Sequence, residues 1–242
     1  MPEFYIVVAF VAFLIGLSKG GMGAILIVLV TPILSLVMPV QQAISLSLPL
    51  LLIADVLALI LYWNTWDMHY VRRMMPVATL GIVIGTVLLW LLPDLTLRRI
   101  LGLITLGFVA YRLLSGRIQQ MEYHPREWHA YAAGAASGLG SALANTGSPP
   151  FTAYMLLQEV SPRVFVGTAT LFFAIINALK LPGLIATGLF NVQDVINTAW
   201  VLPVIPAGVF AGRWMVQRID RAAFERLMLA LLILASAILL FR

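Results

Sequence analysis

Gly16-Leu17-Ser18-Lys19-Gly20-Gly21-Met22-Gly23 interrupts one apolar stretch of this chain. A second interruption follows about 122 to 127 residues later, running from Gly138 into Ala144-Asn145-Thr146-Gly147-Ser148-Pro149-Pro150. Hydrocarbon cannot hydrogen-bond a freed backbone group, so such a break persists at membrane depth only where protein buries it or where it lines a cavity. Two breaks at corresponding places in two halves of a chain are the sequence mark of a transporter's binding site.

The composition around the breaks is that of a membrane protein. Of 242 residues, 62% are hydrophobic and 10% charged, with a mean hydropathy of +1.00; soluble domains carry about 25% charged residues. Apolar stretches cover 4–17, 22–38, 41–63, 74–92 and 97–115, and then 130–144, 149–159, 164–187, 195–216 and 224–241. Several reach the roughly 20 residues that cross a bilayer core. The expectation is an all-α polytopic membrane protein with no room for a separate soluble domain. Met1-Pro2-Glu3-Phe4 has no basic n-region and the first stretch has no clear small-residue cleavage site, so it reads as a retained membrane segment. The absence of cysteine excludes disulfides, thiolate metal sites and cysteine relays. His69, His124 and His129 sit at segment ends without a metal-ligand partner at helical spacing, and no cofactor is implied. The net charge of +5 comes from basic residues scattered among short loops, an orientation signal rather than a nucleic-acid footprint.

The repeat extends beyond the breaks. Gly81-x-x-x-Gly85 follows Pro76 as Gly208-x-x-x-Gly212 follows Pro203; Arg99 corresponds to Arg226, and Ser47 to Thr170. The halves are residues 1–118 and 119–242. The first two segments of each half are short, so each pair is either a re-entrant hairpin, two thin spans, or one broken helix that crosses once. The arginines bear on this choice. If each pair returns to its starting side, the inside loops hold Arg72, Arg73, Arg112, Arg117, Arg126, Arg163, Arg213, Arg218, Arg221 and Arg226, and the outside only Arg98, Arg99 and Arg242. A single crossing erases the bias. The positive-inside rule therefore favours two inverted repeats, each a broken or re-entrant helical hairpin plus three transmembrane helices, with both termini outside. Trp63, Trp66, Trp90, Trp128, Trp200 and Trp214 fall near the expected interfaces.

Three ionisable residues lie inside apolar segments, where a charge costs at least a few kcal/mol and marks function by default. Lys19 stands at the first break beside Ser18, where the amides of Gly20, Gly21 and Met22 are expected to open a new half-helix and cradle an anion; the alternative is a lysine that snorkels to the surface. At the second break Asn145, Thr146, Gly147 and Ser148 offer neutral donors, for ligand binding or helix capping. Lys180 lies deep in 164–187, one turn after Asn177 and just before Pro182-Gly183, which should kink the helix. Asp55 lies near the middle of 41–63. It either pairs with Lys180 or titrates as a proton-coupling group while Lys180 neutralises substrate charge. Ser47 and Thr170 face the same cavity or pack between helices. The equipment of an intramembrane enzyme is missing: no paired catalytic carboxylates, no metal cluster, and no serine–histidine pair at membrane depth.

These residues resemble the TauE/SafE-type sulfite exporter family. The resemblance rests on Ser18 through Gly23, Ala43-Ile44-Ser45-Leu46-Ser47 and Gly81/Gly85 in the first half. In the second it rests on Asn145 through Pro150, Val166-Gly167-Thr168-Ala169-Thr170 and Gly208/Gly212, and it covers roughly residues 5–240. It implies a multi-pass protein of a prokaryotic inner membrane that transports a small sulfur-containing anion such as sulfite, thiosulfate or an organosulfonate, with no nucleic-acid partner. The position of Lys19 is often glycine or another small residue in that family; a lysine there fits an anionic substrate. Cysteine-based thiosulfate handling has no residues to work with here. The expectation is a secondary transporter, an exporter working by alternating access at a midplane site between the two breaks as one half rocks against the other, with possible proton coupling through Asp55. The alternatives are a passive anion channel or a permease for another small anion.

Overall fold

The computed structural model describes residues 2–23, 25–118, 126–158, 160–215, 218 and 220–241; His124 and Arg242, assigned above to segment ends, lie outside them. Every regular element among the described residues is helical. The first half comprises α1 (Pro2–Leu17), a π-helical turn (Ser18–Met22), α2 (Ile25–Leu34), α3 (Val40–Leu61), α4 (Met68–Leu91) and α5 (Asp94–Ile118). The second comprises α6 (Glu127–Ala144), α7 (Ser148–Met155), α8 (Pro162–Ala186), α9 (Val192–Thr198) with a 3-10 turn (Ala199–Val201), α10 (Val204–Met215) and α11 (Arg221–Phe241).

Five helical segments are long and apolar enough to cross a membrane: Glu3–Met22, Val40–Leu61, Met68–Leu91, Pro162–Ala186 and Ala223–Phe241. The segment read as continuous over 195–216 departs from expectation. Val192–Val201 and Val204–Met215 meet at a bend of 51°, because Pro203 has no amide to carry the helical ladder through that point. At Pro182-Gly183 there is no such break, and α8 runs on as helix to Ala186. Local chemistry sets several helix starts. The Asp67 carboxylate accepts from the His69 amide at 2.8 Å to cap α4, and Asn191 caps α9 through the Gln193 amide at 2.9 Å.

In each pair the second helix packs against the first, α2 sharing an apolar cluster with α1 and α7 with α6, but the first arm of the first pair, Glu3–Met22, is not short: it is long enough to cross a membrane. The return arm of the first is anchored where it meets α3 and α5. Arg98 donates to the carbonyls of Ser35 at 2.7 Å and Met38 at 3.2 Å, while Asp94 accepts from the Val40 amide at 2.8 Å. The second hairpin turns at Asn145, held in the left-handed region at φ 55°. At 1.5 Å per residue, the 10 residues of α2 and the 8 of α7 cover about 15 and 12 Å, half or less of a hydrocarbon core about 30 Å thick.

Helix pairing cuts across the sequence halves. In α1, Gly16 lies against Ile205 and Gly208, and Gly20 against Val209 and Gly212. In α4, Gly81 lies against Ala135 and Leu139, and Gly85 against Leu139 and Ala142. Residue numbers rise together along both seams, so α1 runs parallel to α10 and α4 parallel to α6. The backbones approach so closely that a Cβ on Gly16 or Gly138 would overlap a carbonyl oxygen of the facing helix, the small-residue packing that lipid surroundings favour. In contrast, α3 and α8 run antiparallel: Asp55 meets Asn177 and Thr65 meets Gly167. So do α5 and α11, where Gly102 meets Leu240 and Arg112 pairs with Glu225. Large apolar side chains such as Ile60, Leu80, Val83, Ile84, Phe210 and Leu234 face outward, as a lipid-facing surface requires. This is a polytopic membrane fold.

Candidate functional site

The two hairpin tips and the middles of α3 and α8 form one polar cluster in an otherwise apolar interior. Lys19, at the end of α1, donates from Nζ to Asp55 Oδ1 at 2.5 Å. The other carboxylate oxygen accepts from Asn177 Nδ2 at 2.7 Å. Lys180, 1% exposed, donates to Asn145 Oδ1 at 2.7 Å, to the Ser141 carbonyl at 3.2 Å and to Ser141 Oγ at 3.3 Å. Asn145 in turn donates to Ser47 Oγ at 2.9 Å and Thr31 Oγ1 at 3.0 Å. Ser47 Oγ donates to the Ile44 carbonyl at 3.0 Å.

Three expectations are corrected by this geometry. The Asp55 carboxylate pairs with Lys19 and not with Lys180, because the first tip reaches Asp55 while Lys180 points to the second tip. Lys19 also does not snorkel: its side chain is only 14% exposed and is held by the carboxylate. The amides of Gly20, Gly21 and Met22 do not open a new half-helix. They lie in the Ser18–Met22 turn after α1, whose helical path is broken at Gly21 (φ 114°, ψ -2°). Gly21 at φ 114° and Gly23 at φ 100° take the backbone out of helical geometry, and α2 is described from Ile25. Ser18 Oγ closes this turn by donating to the Gly23 carbonyl at 3.0 Å.

A cavity of about 500 Å³ lies beside the cluster. Ser18, Lys19, Gly21, Asn145, Gly147, Ser148, Thr170 and Asn177 line it, together with Ser141. An apolar wall of Phe151, Met155, Phe165 and Phe173 completes it towards Tyr62, Gln158 and Pro162. Ser148 Oγ is buried and has no hydrogen-bond partner among the described residues, so one donor is left over at the cavity wall. The other expected residues stand elsewhere. Lys180, Asp55 and Ser47 sit behind the wall and hold its polar groups. Gly20 is spent on the seam with α10, Met22 packs against the apolar cluster around Leu26 and Leu29, and Thr146 donates back to the Gly140 carbonyl at 3.2 Å.

Charge is unbalanced here. Two lysines face one aspartate, and among the described residues Lys180 bonds only neutral partners. Two buried lysines that share one carboxylate are costly, so the cluster favours an added negative charge. Its donors converge on a cavity sized for a small molecule, and neutral Ser, Asn and Thr groups surround the charge.

Sequence reading missed Ser141 and Thr31. Ser141 was legible in principle: it stands three residues after Gly138, as Lys19 stands three after Gly16, and each bonds a side chain of the long helix following its own hairpin. Thr31 had no such signal beyond a hydroxyl in an apolar stretch.

The family described as sulfite exporter TauE/SafE matches residues 8–239. No match was found among curated proteins or solved structures.

Proposed function

The chain belongs to the sulfite exporter TauE/SafE family, and we propose that it is a secondary transporter exporting a small sulfur-containing anion, sulfite or an organosulfonate, across a prokaryotic inner membrane. The family supports a multi-pass membrane transporter of sulfur anions. The observation that carries the rest is the buried excess cation: Lys19 and Lys180 against Asp55, at a cavity bounded by both hairpin tips. A substrate anion restores neutrality, and the spare Ser148 hydroxyl completes its shell.

The transport unit is two inverted repeats with re-entrant hairpins. Second arms α2 and α7 too short to cross the core support this, as do the antiparallel α3/α8 and α5/α11 pairs and the matching parallel seams of α1 with α10 and α4 with α6. Tyr62, Gln158 and Pro162 are part of the cavity lining and lie in the chain next to the helix starts that carry Arg72, Arg73 and Arg163, so by the positive-inside rule this side of the cavity is assigned to the cytoplasm. The moving parts are then not the sequence halves. Each hairpin is seamed to a helix of the other half, so α1–α2 travels with α10 and α6–α7 with α4, while α3 and α8 cross between them at the site. An inside-negative potential expels one negative charge with about 2.3 kcal/mol per 100 mV, enough to drive export without a second ion. Asp55 is the coupling candidate if protons participate, since its protonation would release Lys19.

A binding screen of the purified protein against sulfite, sulfate, thiosulfate, sulfoacetate and taurine tests the reading. The true ligand should bind, and Lys19→Ala and Lys180→Ala should weaken it. Binding untouched by the double substitution would sink the electrostatic site. In proteoliposomes, saturable counterflow is expected of a carrier, whereas large ohmic currents would mean a channel.

A further inference from the structure

A second basic feature lies away from the transport cavity, at the membrane surface. A cleft of about 430 Å³ is lined by His69, Arg72, Arg73 and Tyr131. It opens between the first turns of α4 and α6, the two helices joined by the glycine seam. Arg72 is exposed and makes no hydrogen bond or ion pair among the described residues. Arg73 Nη2 donates to Glu127 Oε1 at 2.6 Å and also faces Tyr154; its guanidinium has five donors, so capacity remains. The acids nearby are already engaged, Glu127 with Arg73 and Asp67 with the His69 amide. Trp63 and Trp128, 71% and 58% exposed, flank this end of the bundle, which sets it at headgroup depth, where amphipathic rings settle.

The other end of the bundle has no equivalent. At the offset of 127 that relates Gly81 and Gly85 to Gly208 and Gly212, Arg72 and Arg73 correspond to Ala199 and Trp200. The seam is repeated but the charge is not, so the arginines are not required for packing.

We propose that this cleft binds the phosphate of an anionic phospholipid headgroup in the leaflet at that end. Two guanidinium groups, an imidazole and a phenol offer the forked donors that phosphate oxygens accept. Basic pockets between membrane helices on the cytoplasmic side suit such headgroups. The bound lipid would clasp the start of α4 to the start of α6, at the base of the second hairpin.

The test uses the full chain in detergent, titrated with phosphatidylglycerol or phosphatidylcholine and read by native mass spectrometry. Phosphatidylglycerol should bind preferentially, and R72Q/R73Q should lower its occupancy about tenfold to thirtyfold, the effect of removing two cations from a membrane surface. Arg72→Gln alone, which breaks no contact, should give part of that loss. Glu127→Gln, which releases Arg73, should raise occupancy. Arg99→Gln, at the opposite end, should leave it unchanged. Equal binding of both lipids, no loss in R72Q, or displacement of the lipid by millimolar inorganic phosphate would each overturn the proposal, the last by marking a site for free anions.

Discussion

Replacing Asp55 by asparagine should tighten anion binding while it weakens the fold. The carboxylate now occupies Lys19 at 2.5 Å and accepts from Asn177 at 2.7 Å; it acts as a built-in anion competing with the transported one. An anion on the cavity side of the Lys19 ammonium would stand roughly 5 Å from the carboxylate. At an effective dielectric near 20, two like charges at that distance repel by about 3 kcal/mol. Lys19 is 14% exposed and reaches the cavity, so screening reduces this to about 1.5–2 kcal/mol, a gain in affinity of tenfold to thirtyfold. Asparagine preserves the shape and can still bond Asn177, but it leaves the ammonium without an acid, which lowers the melting temperature. Turnover should fall as well, because a tighter anion leaves more slowly. The assay is isothermal titration with the ligand found in the screen, paired with thermal unfolding of the same preparation. Affinity that is unchanged or weaker in a folded Asp55→Asn protein would refute the view of Asp55 as an internal competitor.

Other expectations follow from the same geometry. Lys180→Met removes the excess cation and strands acceptors on Asn145 and Ser141, so anion binding should drop at least about thirtyfold; retained affinity would shift the charge requirement to Lys19 alone. Ser148→Ala deletes a hydroxyl that bonds nothing in the fold, so stability should hold within about 0.5 kcal/mol while ligand affinity falls about tenfold, both read on one purified sample. Gly138→Val drives a side chain into the Ala78 carbonyl, whereas Gly107→Val meets open space; folded yield should collapse only in the first. Because the chain has no cysteine, Gln158→Cys is a clean probe, and an impermeant maleimide should label it from the cytoplasmic face and be blocked by ligand.

The apolar stretches, the repeat and the two breaks could be read from the sequence, because lipid imposes length and composition on each helix separately. The polar partners could not. Asp55 lies near Lys180 by repeat offset, yet the side chain it meets is set by which tip reaches it, and that depends on the depth of two hairpins in three dimensions. The glycines were partly misassigned for a related reason. Gly16, Gly20 and Gly138 read as loosened backbone at the breaks, but their use is close packing against Gly208, Gly212 and Ala78, and only the facing helix reveals it. The bend near Pro203 and the unbroken helix through Pro182 show the same dependence, since proline removes one hydrogen bond and the surroundings decide whether the axis gives way.

The crossed seams also bear on how the protein is made. Gly16 finds its partner Gly208 only after nearly the whole chain has been synthesised; at 5–20 residues per second this is a delay of roughly 10 to 40 seconds. Through that interval the first hairpin, with Lys19 at its tip, has no α10 to lie against. The second hairpin waits far less, for its seam helix α4 precedes it. Assembly is therefore ordered from the middle outward: the α4–α6 seam can close while α10 is still in the ribosome. Chains truncated before residue 204 should then carry a protected second hairpin and a protease-sensitive first one. Membrane quality control would recognise an unfinished copy of this protein by its N-terminus.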